Sequence, residues 1–101
     1  MRYDKLVRDK IPDIIAEKGS TAETHIAEEA EYLEKLRAKL QEEVGEFLES
    51  NTAEELADIL EVVYALGVSL GVTRDELERL RAEKAASRGG FEKRIILEEA
   101  S

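Results

Sequence analysis

Cysteine and tryptophan are absent from this chain, and histidine and proline occur once each. Without cysteine there is no disulfide framework, no thiolate metal site and no thiol nucleophile. That usage suits a reducing compartment, so a cytoplasmic location is expected. The single His25 excludes multi-histidine metal centres and leaves a Ser-His-Asp triad without support. Nowhere does the sequence approach the ~18 consecutive apolar residues of a transmembrane helix, so no membrane partner is expected. The opening MRYDKLVRDKIP alternates charged and apolar residues and holds no signal-peptide core.

What the chain has in quantity is charge. Asp, Glu, Lys and Arg make up 39% of the residues, against roughly 25% in an average domain. The formal net charge is -9. A surface that negative repels polynucleotides, so no nucleic acid polymer is expected to bind. A small nucleotide is still compatible, because a bound cation can receive its phosphates. Hydrophobic residues reach 43%, which points to amphipathic helices and away from disorder. The 101 residues suit one domain spanning 1–101, with a core of limited size that oligomerisation would enlarge.

Pattern and punctuation divide the chain into helices. Ile11-Pro12-Asp13 opens a short one, with proline in its first turn, and Gly19 ends it. A long helix is predicted from about Glu28 to Ser50, since Leu33, Leu36, Leu40, Val44 and Phe47 keep three-four spacing. Asn51-Thr52 breaks the chain and caps a second long helix, which runs to Leu70 and stops at Gly71. Thr73, with Glu76 three residues on, caps a third that ends near Arg88, before Gly89-Gly90. Short connections imply antiparallel neighbours. The expected fold is therefore an all-α, antiparallel helical bundle. Glu23–Ala27 and Arg94–Leu97 could add a short two-stranded β element.

Helical wheels then place the acidic residues. On the first long helix, with Leu36 at 0°, the apolar stripe spans about 0–80°, Glu43 lies at its edge near -20° and Glu46 near -80°. These two project side by side at i and i+3. Glu42 lies further round. The second helix is apolar over a very wide arc, which marks it as central. Glu55 falls inside that arc and Asp58 just outside it. A bare carboxylate in such a place costs several kcal/mol. A divalent cation held by Glu43, Glu46, Glu55 and Asp58 would remove both that cost and their mutual repulsion. A set of carboxylate oxygens alone favours Mg²⁺, with Mn²⁺ as a substitute. Blander readings stand beside this one. Thr52-x-x-Glu55 is also a capping box, and an E-x-x-E on an acidic helix is commonly a solvated face.

On the third helix Lys84 and Arg88 continue a stripe begun by Leu77 and Leu80. Basic residues there can complement the helix dipole and snorkel, or meet phosphate oxygens. Phe91, after two glycines, can stack on a base or simply pack in the core. Near the start, Arg8 and Lys10 belong to a basic segment within an acidic protein, either a phosphate-binding lid or a docking arm.

Taken together, Glu42-Glu43-Val44-Gly45-Glu46-Phe47 and Glu54-Glu55-Leu56-Ala57-Asp58-Ile59-Leu60 resemble the paired acidic signature of the all-alpha nucleoside triphosphate pyrophosphohydrolases. That superfamily includes MazG-like enzymes and phosphoribosyl-ATP pyrophosphohydrolase. Tyr3–Pro12 and Arg88–Ile95 are similar to a short, stand-alone branch of it. The resemblance implies Mg²⁺-dependent hydrolysis of a nucleoside triphosphate, often a non-standard one removed from the nucleotide pool, to monophosphate and pyrophosphate. It implies metal on Glu43, Glu46, Glu55 and Asp58, with Glu42 as an extra ligand or base, and phosphate contacts by Lys84 and Arg88. It also implies a homo-oligomer, dimer or tetramer. A late Asn or Asp contributes in some relatives, but no Asn follows Asn51 here and Asp75 is the only Asp after Asp58. The alternatives are hydrolysis of phosphoribosyl-ATP in histidine biosynthesis, and a helical nucleotide-binding or interaction module without catalysis.

Overall fold

The computed structural model describes residues 2–101. It contains α1 (Ile11–Glu17), α2 (Glu29–Ser50), α3 (Ala53–Ser69) and α4 (Arg74–Arg88). No strand occurs among the described residues, so the chain is all-α. Glu23–Ala27 and Arg94–Leu97 stay outside regular structure. A ladder needs paired backbones, and among the described residues no backbone hydrogen bond joins these two segments.

The boundaries follow local chemistry. The Asn51 N–H donates to the Phe47 carbonyl at 2.8 Å while Asn51 takes a left-handed φ of 54°. Asparagine tolerates that conformation better than most residues. Thr52 then accepts from the Glu55 N–H and starts α3. A connection this short folds α3 back along α2, and this hairpin carries the core. Leu36 is its one fully buried large side chain, 2% exposed, and Val62 of α3 is buried as well. Tyr32, Leu40, Phe47, Ile59, Val63 and Leu66 are half-buried around them.

α3 ends in a Schellman turn. Gly71, at φ 81°, donates to the Val68 carbonyl at 2.9 Å, and Val72 donates to the Gly67 carbonyl at 2.8 Å. Gly67 is buried, and a Cβ there would sit 3.3 Å from the Val72 carbonyl oxygen and 3.8 Å from Leu77. Its bare backbone is what lets α4 dock. Thr73 caps α4 by accepting from the Glu76 N–H at 3.1 Å, and the Arg74 guanidinium lies over the Tyr64 ring.

α4 is not the antiparallel neighbour that the short connection implies. Its direction differs from that of α3 by 107°. The glycine-terminated turn sets that angle, and only the first turns of α4 pack on α3. α1 packs on none of the other helices. The radius of gyration is 17.8 Å, against roughly 13 Å for a compact domain of this length. Leu48, Leu56, Leu60, Val68 and Leu80 are consequently exposed within a single chain. No single helix among the described residues is long and apolar enough to cross a membrane.

Candidate active site

Glu43 of α2 and Glu55 and Asp58 of α3 meet across the hairpin. One carboxylate oxygen from each can be chosen so that all lie within 4.8 Å of one another. Residues from consecutive helices meet here because the tight Asn51-Thr52 connection sets Glu43 two turns before the bend against Glu55 and Asp58 just after it. Glu43 is the most enclosed, at 7% exposure, although the helical wheels put Glu55 deeper in its apolar arc. Both Glu43 Oε2 and Glu55 Oε2 are sealed from solvent without a hydrogen-bond partner. Glu46 is exposed and stands outside this triad, but its charge acts on Glu55.

Burial pushes the Glu55 carboxyl above the usual carboxylate range, and the charges of Glu46 and Asp58 and the adjacent Glu43 carboxyl push it further. Buried, unpartnered oxygens on converging acids are costly, and a cation between them would lower that cost. The donor set is all oxygen, suited to a hard divalent metal. The residues present therefore fit a metal ion, with Glu43, Glu55 and Asp58 as its holders.

Cations stand around the triad. Lys39 Nζ lies 3.1 Å from Glu42 Oε2 and 3.4 Å from Glu43 Oε1. Lys5 Nζ reaches Glu42 Oε1 at 3.3 Å. Burial alone would raise the Glu42 carboxyl, but hydrogen bonds from Lys39 and Lys5 outweigh it and hold the group below its ordinary range. Lys39 is raised in return, against its own desolvation, by the carboxylates of Glu42 and Glu43. Arg8 Nη2 donates to Asp58 Oδ1 at 2.7 Å, so the basic segment near the start of the chain reaches the acidic cluster. Lys39 and Lys5 escaped the sequence reading. For Lys39 the signal was present, in its i+3 and i+4 spacing to Glu42 and Glu43. For Lys5 nothing local revealed a partner on α2.

The chain matches the model of the family described as phosphoribosyl-ATP pyrophosphohydrolase over residues 7–85. It belongs to that family. The family lies within the MazG-like nucleoside triphosphate pyrophosphohydrolase superfamily, and the chain is thus a hydrolase of phosphorus anhydrides acting on a nucleotide. No curated protein and no solved structure matches the chain.

The remaining predicted residues lie apart from the triad. From helix rise and the 107° turn, the backbones of Lys84 and Arg88 are roughly 20 Å or more from that of Glu55. Within one chain they do not reach the carboxylates. Lys10 is exposed at the turn before α1. Phe91 is 96% exposed beyond α4, not packed in the core.

Proposed function

We propose that this chain is a Mg²⁺-dependent pyrophosphohydrolase of nucleoside triphosphates, releasing monophosphate and pyrophosphate and acting on non-standard nucleotides. The observation that carries the reading is the convergence of Glu43, Glu55 and Asp58, with two sealed and unpartnered oxygens, in a chain of this family. Mg²⁺ would be held by these three residues, with Glu46 as a fourth donor, and when bound it supplies charge neutralisation at phosphate and a more acidic water. Glu42, kept ionised by its two lysines, suits orienting an attacking water more than storing its proton. Lys39 balances the acidic charge when no metal is present. The leaving group is stable pyrophosphate, so no covalent intermediate is required.

The functional unit is a homo-oligomer of two or four copies. Leu56 and Leu60, at i and i+4 on α3, form an open apolar row, and the radius of gyration exceeds that of a compact domain. Lys84 and Arg88 bind phosphate at the site of a neighbouring copy, since α4 leads them away from their own.

The test is a panel of ribo- and deoxyribonucleoside triphosphates, standard and modified, incubated with Mg²⁺ and assayed for monophosphate and pyrophosphate. Folded, metal-loaded protein that turns over none of them would refute the reading. The family's description favours a second substrate, phosphoribosyl-ATP, with the same anhydride chemistry. Assay with phosphoribosyl-ATP itself separates the two.

A further inference from the structure

The basic N-terminal arm is fastened to the acidic hairpin in a way that bears on how the site is filled. Leu6 is half-buried and lies in a shallow cleft with Lys35, Ala38, Lys39 and Glu42 of α2. Lys5 pairs with Glu42 beside it. Two residues on, the Arg8 carbonyl accepts from the Ile11 N–H at 3.0 Å as α1 begins. The backbone of Arg8 is thus held on both sides, and only its side chain needs to move. That side chain sits 2.7 Å from Asp58 Oδ1, in a pair whose members are 58% and 39% exposed. Ion pairs as exposed as this are weak and easily exchanged. Asp58 is also the one member of the triad whose carboxylate is held by an arginine.

A divalent cation on Glu43, Glu55 and Asp58 draws on the same carboxylate and repels the guanidinium beside it. A guanidinium released there stays beside the triad, and its fork suits phosphate as well as carboxylate. We propose that Arg8 is an exchangeable counter-ion: it holds Asp58 in the metal-free chain, yields it to the divalent cation, and then binds the phosphate oxygens of the substrate. This rests on the triad being the metal site of the proposed hydrolase.

The experiment is calorimetric titration of the full chain, first with Mn²⁺ alone and then with inorganic pyrophosphate at saturating Mn²⁺. Three proteins are compared: wild type, Arg8→Gln, and Arg2→Gln. Arg2 pairs with Asp4 on the same arm, so its loss removes the same charge without touching the triad. Arg8→Gln should bind Mn²⁺ about two- to fivefold more tightly, the reverse of an exposed ion pair's strength. It should bind pyrophosphate about tenfold more weakly, as befits a lost charge-assisted contact. Arg2→Gln should match wild type in both. Mn²⁺ affinity that is unchanged or weaker in Arg8→Gln, or raised equally in Arg2→Gln, overturns the exchange. Undiminished pyrophosphate binding does the same. If wild type binds no Mn²⁺, the metal reading itself fails and the exchange falls with it, a result distinct from the others.

Discussion

Replacing Glu55 by Gln should separate the cost of the acidic cluster from its use. The change keeps size and shape but removes one of three converging carboxylates, the one whose pKa is driven up by burial and by Glu46, Asp58 and Glu43. In EDTA the variant should melt at a higher temperature than wild type, because the repulsion is gone. With Mg²⁺ the order should reverse. At ten times its Kd a ligand stabilises by about 1.4 kcal/mol, or about 6–11 °C for a domain of this size. Losing even a supporting residue of a metal site typically weakens affinity 10- to 100-fold, and a direct ligand should cost at least as much. At the same Mg²⁺ concentration the variant should then gain at most about 3 °C. Differential scanning fluorimetry in EDTA and across a Mg²⁺ series reads both effects. A variant that is less stable than wild type in EDTA, or that keeps the full Mg²⁺ shift, would show that Glu55 is a capping residue and the triad not a metal site.

Four further outcomes are expected. Leu36→Ala should cost about 2–5 kcal/mol in urea unfolding, as Leu36 is the one large side chain that α2 buries fully. For metal-free protein, stability should rise as pH falls from neutral through the raised folded value of Glu55, because the folded state then binds the proton more tightly than the unfolded chain. The depressed Glu42 works oppositely: its contribution, complete above the ordinary carboxylate range, disappears as pH falls through its folded value. Thermal melts in EDTA from pH 7 to 3 should thus pass through a maximum, and Glu55→Gln should abolish only the rise. If the chain assembles through α3 as proposed, Leu60→Glu should lower the mass read by light scattering to that of one chain, since Leu60 is 48% exposed in the single chain and would be covered by a second copy. Mixing inactive Glu55→Gln with a Lys84→Gln/Arg88→Gln double variant should restore part of the triphosphatase activity through hybrid sites. No recovery, with subunit exchange demonstrated, would return the α4 cations to a purely structural role.

Much of this protein is legible in one dimension, for a local reason. Helix limits depend on residues within a turn of each other: Pro12 in a first turn, Thr73 capping against Glu76, Asn51 in a left-handed cap, Gly71 in a Schellman turn. All four helices accordingly lie within a residue or two of where periodicity and caps put them. The acidic residues that matter were also readable, because burying a carboxylate on an apolar arc is costly enough to require an explanation. Which of them meet was not readable. A wheel gives angles about one axis, whereas the close grouping of Glu43 with Glu55 and Asp58, with Glu46 further off, depends on how two axes are set by the Asn51-Thr52 connection. The 107° departure of α4 follows the glycine-terminated turn and brings Leu77 close to the bare Gly67 backbone, a contact between elements. The pairing of Arg8 with Asp58 spans fifty positions, and nothing local marks either residue for the other. The sequence by itself determined the helices and the chemical type of the site. Only the tertiary structure decided which carboxylates converge and which arginine pairs with them, because distances between helices are not a property of any one helix.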